Sequence, residues 1–188
     1  MNWDIKEIHN YNEYMQKYSI HSLLAKIFAQ RKYNEQDIQG HTSKRLIYHD
    51  FSLFLDADLV LDRIQEALEN DEKICIYGDY DCDGILSTAI LVQTFLELGK
   101  KVGYHIPNRF EDGYGLNKER VQQMYEKGYS LLITVDNGIK AYEAIDLANE
   151  LGIDVIVIDH HDYDELPDAS FIQKCHRIIH LKKYVEAF

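Results

Sequence analysis

The sequence predicts an α/β fold, a parallel sheet with helices on both faces, preceded by a short helical N-terminal segment. Three observations carry that expectation. From Lys73 onward, short runs rich in β-branched residues alternate with amphipathic stretches. Gly99, Gly128 and Gly152 each stand where a helix should stop, the usual place for a left-handed cap before the chain turns into the next strand. The 188 residues are 46% hydrophobic and 28% charged, which suits one globular domain able to bury a core, with room for a small appendage. Such alternation produces parallel strands covered by helices.

In chain order, residues 1–50 are rich in Tyr, Gln, Asn and His and hold one helical pattern, His21 to Lys32, with Leu24, Ile27 and Phe28 on one face. They carry no chemical motif. A second helical pattern starts at Asp56, with Asp56 and Asp58 suited to its positive end and Val60, Ile64, Ala67 and Leu68 at helical spacing. Then follow strand KICIY, helix GILSTAILVQTFLEL, strand KVGYHI, helix NKERVQQMYEK, strand SLLITV, helix KAYEAIDLANEL and strand IDVIVI. The last stretch, SFIQKCHRIIHLKKYVEAF, breaks the pattern, with Lys174, Arg177, Lys182 and Lys183 against Glu186 alone. It reads either as a basic amphipathic helix docked on the domain or as the product of a shifted reading frame. The chain therefore divides into an N-terminal helical segment (1–50), an α/β domain (51–169) and an atypical basic tail (170–188).

Composition narrows the function. The formal net charge is −12, so nucleic acid phosphates are repelled unless bound cations or a local basic surface offset the field. No apolar run approaches the ~18 residues that span a bilayer, and the polar, acidic start does not resemble a signal peptide. A cytoplasmic protein without a membrane partner is expected. Cys75, Cys82 and Cys175 form no CxxC pair, so neither a disulfide framework nor a structural zinc site is encoded.

In parallel α/β sheets, ligands gather beyond the carboxyl ends of the strands. Here those ends are acidic: Gly78-Asp79-Tyr80-Asp81-Cys82-Asp83-Gly84 after the first strand, Asp136-Asn137-Gly138 after SLLITV, and Asp159-His160-His161 after IDVIVI. Five carboxylates and two imidazoles at one sheet edge would repel one another or take up protons, and divalent cations between them remove that cost. Carboxylate oxygens suit Mg²⁺ and Mn²⁺, and imidazole tilts the choice toward Mn²⁺. A shared carboxylate such as Asp136 predicts a binuclear centre that activates a water and clamps a phosphate. Blander readings exist for the parts. DYDCDG begins like a calcium loop, but the twelfth position is Ile90 where a bidentate Glu is needed. Asp83 or Asp136 alone reads equally well as a helix cap. A strand followed by DxD also opens aspartyl-phosphate phosphatases, a reading that leaves His160 and His161 unused. Cys82 sits among carboxylates that raise thiol pKa, so it is read as packing and not as a nucleophile.

The motifs YGDYDCDG, TVDNG and IDHHD, in that order, resemble motifs one to three of the DHH phosphoesterase superfamily. The segment IPNRFEDGYGL is similar to its RecJ branch, the single-strand-specific 5′ to 3′ exonucleases. The resemblance spans about residues 20 to 168. It implies a DHH-type domain holding two Mn²⁺ or Mg²⁺ ions, with Asp79, Asp81 and Asp83 in the first metal motif and Asp81 and Asp83 its direct ligands. Asp136 would bridge the ions, Asp159 would support the site and His160 would be a ligand. His161 would face the scissile phosphate as a catalytic and substrate-binding group. Arg109 and the turn Gly113-Tyr114-Gly115 would meet the DNA backbone, since a guanidinium fork suits phosphate oxygens.

The resemblance further implies single-stranded DNA as substrate, a role in DNA repair and recombination, and a single-strand-binding protein and a helicase as partners of the full-length family. Family members add a fourth acidic motif, a second domain and an OB-fold after DHH, none of which stands before Phe188. A truncated RecJ-like protein is expected, with the activity of the fragment a separate question. Two alternatives stay open. One is hydrolysis of small substrates such as oligoribonucleotides, cyclic dinucleotides or pyrophosphate, which the GYG segment disfavours. The other is a non-catalytic nucleic-acid-binding module, which the retained ligand residues disfavour.

Overall fold

A computed structural model of the chain describes residues 8, 10–43, 50–54, 56–108, 115–162 and 177–180. The chain falls into two compact units, Met1–His49 and Asp50–Phe188. Within the first are three helices: α1 (Tyr11–Tyr18), α2 (Ser22–Arg31) and α3 (Glu35–Thr42). The His21 ring accepts the Leu23 N–H at the start of α2. Asn34 and Asp37 form a reciprocal capping box at the start of α3, satisfying two otherwise orphaned donors. Ala25, Phe28 and Ile38 are buried, while Leu24 and Ile27, expected on the inward face of α2 with Phe28, are exposed. The inward stripe of α2 is thus Ala25–Phe28. Tyr33 stacks on His41 with ring centroids 5.1 Å apart and planes 3° from parallel.

The second unit opens with a single 3₁₀ turn, Phe51–Leu53, and α4 (Ala57–Glu69). It continues through β1 (Ile74–Tyr77), α5 (Cys82–Glu97), β2 (Gly103–His105), α6 (Lys118–Glu126), β3 (Leu131–Val135), α7 (Tyr142–Glu150), β4 (Asp154–Asp159) and β5 (Arg177–His180). The strands form one sheet in the order β2-β1-β3-β4-β5, and every pairing is parallel. Residues alternate between its faces. Cys75, Tyr77, Leu132, Val155 and Val157 pack with Val121 and Met124 of α6 and Ala144, Ile145 and Ala148 of α7. Ile74, Ile76, Leu131, Ile133 and Ile156 pack with Val60 and Ala67 of α4 and Phe95 of α5. Both faces are covered, as parallel sheets require.

Two departures from the sequence expectations have local causes. β2 is three residues long where six were expected; it lies at the sheet edge, where pairing on one side only supports a shorter ladder. The tail was expected to be a basic helix or an out-of-frame product; in place of a helix, Arg177–His180 form a strand that pairs with β4 from Ile156↔Arg177 to Asp159↔His180. The β-branched pair Ile178-Ile179 is the local signal for it. The rest of 170–188 lies outside the described residues. Among those that are described, no helix is long and apolar enough to cross a membrane.

The strand order places the functional edge. From β1 the chain runs to β2 on one side and then to β3 on the other, so the connections after β1 and β3 diverge and leave a crevice at their carboxyl ends.

Candidate metal centre

That crevice is lined by the acidic strand ends. Asp79 follows β1 and is 1% exposed. Its depth depends on Gly84, since a Cβ there would lie 2.6 Å from both the nitrogen and the carbonyl oxygen of Asp79. Only glycine lets the first turn of α5 rest on that backbone. Asp81 caps α5, accepting the Gly84 N–H at 3.1 Å. Asp83 lies inside the first turn of the helix, with its side chain 67% exposed and Oδ2 3.7 Å from His160 Nε2.

Asp136 follows β3 with φ 61°, a left-handed conformation that Asp tolerates better than most residues. Its backbone N–H donates to the Ile158 carbonyl at 2.9 Å, which locks the turn to β4. Its Oδ1 lies 2.8 Å from His160 Nε2 and 4.0 Å from His161 Nδ1. Asp159, the last residue of β4, has both oxygens committed. Oδ1 accepts the His160 N–H (2.7 Å), the His161 N–H (3.0 Å) and the His161 ring Nδ1–H (2.7 Å), and Oδ2 accepts the Ile139 N–H (3.0 Å). A carboxylate only accepts, so this pairing puts the proton on Nδ1 and leaves Nε2 of His161 to face outward.

The geometry brings together two groups of possible ligands whose donor atoms lie within 4.8 Å of one another: Asp79, Asp81 and Asp136, and Asp136, His160 and His161. Asp136 belongs to both. Asp83 belongs to neither of these groups and stands beside His160. Gly115 lines a cleft of about 440 Å³ that also holds His161, Asp159 and Lys140. Arg109, Gly113 and Tyr114 lie outside the described residues.

Burial, the charge of Asp83 and the contact with Asp81 push Asp136 up to about 6, with His160 pulling the other way. Asp79 is likewise raised, chiefly by burial. The Gly84 N–H holds Asp81 below the ordinary carboxylate range. Burial alone would raise Asp159, but the Ile139 and His161 hydrogen bonds outweigh it and the net shift is downward. For His161 burial works to lower the value, while the Asp159 hydrogen bond and the charges of Asp159, Asp136 and Asp79 raise it. Two acids with raised pKa values, Asp79 and Asp136, beside further carboxylates in a strand-end crevice mark a candidate functional site.

The fit to divalent ions rests on unsatisfied oxygens. Asp79 Oδ1 and Asp136 Oδ2 are buried without a hydrogen-bond partner, a costly state that a coordinated cation relieves. The donors are oxygens and imidazole nitrogens with no thiolate, the set that suits Mn²⁺ or Mg²⁺.

Sequence reasoning assigned no role to Asn137 or Tyr77. Asn137 is 1% exposed and donates to the carbonyls of Tyr77 (3.2 Å) and Val135 (2.9 Å), which ties β1 to β3 at the crevice. The Tyr77 hydroxyl donates to the Gly115 carbonyl at 3.2 Å and so holds Gly115 beside the end of β1. The available signal was their position, an Asn directly after a strand-end Asp and a Tyr closing a buried strand.

Residues 73–182 match the family described as DHH family, N-terminal domain. The chain is 48% identical over 112 residues to the single-stranded-DNA-specific exonuclease RecJ of Bacillus subtilis (strain 168), covering 59% of this chain and 14% of that one. It is 37% identical to RecJ of Escherichia coli (strain K12), covering 80% and 26%. It thus spans only a minor part of the length of these relatives. Two solved structures are similar. One is exonuclease RecJ bound to manganese, with TM-score 0.57, 34% identity and coverage of 72% of this chain and 32% of that one. The other is RecJ of Thermus thermophilus in complex with Mn²⁺, with TM-score 0.61, 26% identity and coverage of 96% and 24%. With three acidic strand ends meeting at one crevice and the match to the DHH family's N-terminal domain running through all of them, the chain belongs to the DHH family and is similar to part of the RecJ proteins.

Proposed function

We propose that this chain carries the phosphodiester-hydrolysing metal centre of a 5′ to 3′ single-stranded DNA exonuclease of RecJ type, serving DNA repair and recombination. The observation that carries the reading is Asp136, whose carboxylate belongs at once to the Asp79–Asp81 group and to the His160–His161 group, the arrangement that two neighbouring cations need. Asp79, Asp81, Asp136 and His160 would hold the ions, with Asp83 beside His160. When bound, Mn²⁺ or Mg²⁺ supplies Lewis acidity toward the phosphate and makes water nucleophilic near neutral pH.

The chain's own residues do the rest. Asp159 holds the His161 ring by its Nδ1–H and raises its proton affinity, so the ring in its imidazolium form would keep Nδ1–H on Asp159 and donate its second proton from Nε2 to a phosphate oxygen or to the departing oxygen. The same carboxylate grips the Ile139 N–H, which keeps the loop after β3 in register with His161. Arg109 and the segment Gly113-Tyr114-Gly115 are assigned to the incoming strand on the family resemblance, and Gly115 opens onto the cleft that holds His161.

Degradation of 5′-labelled single-stranded DNA in Mn²⁺, beside an identically purified Asp136→Ala control, tests the reading. Release of labelled mononucleotide by the parent and not by the variant is expected. Equal release by both, or Mn²⁺ binding without any DNA hydrolysis, overturns catalysis by this chain and favours a binding role.

A further inference from the structure

We propose that Lys140 is a substrate-binding residue, neutralising a phosphate next to the scissile one in the cleft that begins at His161. This rests on the exonuclease reading and names a contact within it. The cleft of about 440 Å³ is bordered by residues that include Gly115, Gly138, Lys140, Asp159, His161 and Asp162, and Lys140 is the one lysine or arginine among its described lining residues. A second hollow of about 400 Å³ shares Leu116, Lys140 and Ala141 with it and reaches Asn117, Tyr142 and the Lys118–Glu143 ion pair. Lys140 therefore stands where the two join.

Its place relative to His161 is set by hydrogen bonds. Asp159 accepts the His161 ring through Oδ1 and the Ile139 N–H through Oδ2, so one buried carboxylate fixes both His161 and the residue before Lys140. Gly138, at φ +111° with the Thr134 hydroxyl only 2.4 Å from where a Cβ would stand, lets the loop turn tightly enough to bring Lys140 to the cleft. Electrostatics supplies the reason for a cation at this point. The chain carries 32 acidic against 20 basic side chains, and metal ions held at the crevice would offset that charge at the scissile phosphate. The neighbouring phosphate, entering a cleft that also contains Asp162, needs its own positive partner. An exposed lysine on a clamped loop meets that need as a flexible point charge.

The test is fluorescence anisotropy of a labelled phosphorothioate oligothymidylate, which resists cleavage, titrated with the full chain in Mn²⁺ over a range of salt concentrations. In the parent, affinity falls with salt. Lys140→Ala is expected to bind several-fold more weakly at low salt and to show a log–log slope shallower by about 0.7, the contribution of one phosphate contact on a single strand. Lys140→Arg should restore the slope, and Lys101→Ala, exposed just before β2 at the opposite edge of the sheet, should leave it unchanged. Mn²⁺ affinity, measured by calorimetry, should be the same in all four proteins. A parental slope in Lys140→Ala overturns the proposal alone. Failure of the parent to bind the oligonucleotide overturns the exonuclease reading and this contact with it.

Discussion

Each side chain at the crevice has a distinct role because its surroundings differ. Asp159 has its acceptors filled by four donors, so it organises histidines and stays ionised. Asp136 keeps Oδ2 buried and unpaired and sits at about 6. A carboxyl raised in the folded state binds a proton that the unfolded chain has already lost, so the metal-free protein loses stability as pH climbs from the ordinary carboxylate range through about 6. His161, also raised, contributes stability that is present below the imidazole's ordinary pKa and is lost above its folded value, which acts in the same direction. Mn²⁺ competes with the Asp136 proton. In urea unfolding, the metal-free chain should show a lower midpoint at pH 7.5 than at pH 5, with Mn²⁺ raising it much more at the higher pH. Asp136→Asn should lose most of both effects; an Asn variant that responds to Mn²⁺ as the parent does would exclude Asp136 as a ligand.

At the scale of elements, the site depends on how closely α5 approaches the end of β1. The Gly84 contact leaves no space for a methyl group against the Asp79 backbone, and the obstacle is main chain, which cannot rotate away. Gly84→Ala should lift the first turn of α5, costing about 1–3 kcal/mol as overpacking and weakening Mn²⁺ binding. Urea unfolding and Mn²⁺ calorimetry of this variant, with a surface control at Gly40, where an added Cβ meets nothing within 4 Å, would show whether the loss is local.

The same helix explains how far the sequence was legible. Its apolar periodicity suggested a start at Gly84, whereas Asp81 caps it and Cys82 begins it. Asp83 therefore lies in the first turn and points out beside His160, and Asp79 takes the buried place. The core strands β1, β3 and β4 were readable because unbroken apolar runs bounded by acids or glycine have few other uses. Two helices of the N-terminal unit were not. α1 buries no residue and α3 buries only Ile38, so neither shows a buried apolar stripe; α3 is marked by its capping box and α1 by aromatic contacts such as Tyr14 with Tyr18 and Lys26 over Tyr11. The triple convergence at the crevice was legible, since each acidic cluster follows a strand. The joining groups Asn137 and Tyr77 were not, because backbone carbonyls brought together by the sheet decide their roles.

Across the whole molecule, the two ends of the sheet have separate duties. The carboxyl edge gathers the acids and histidines of the candidate metal centre, and the opposite edge pairs its acids with a guanidinium. There Arg63 of α4, 8% exposed, bonds Glu72 just before β1 at 2.7 Å and Asp154 at the start of β4 at 2.7 Å, while Glu72 also accepts the Ser130 hydroxyl before β3 at 2.8 Å. One guanidinium thus links a covering helix to the entry of the sheet. Burial opposes its charge, and the two carboxylates more than restore it. Glu72 is correspondingly held low, above all by Arg63. Removing one partner of such a network leaves the others without compensation. Arg63→Ala should therefore lower stability by about 3 kcal/mol in urea, while the protein that remains folded binds Mn²⁺ at the parental affinity. Arg63→Met, which keeps much of the packing but not the charge, separates lost volume from lost pairing. A fall in Mn²⁺ affinity of folded Arg63→Ala would show instead that strain at the entry of the strands reaches the metal centre through β1 and β4, and the division of duties between the two edges would fail.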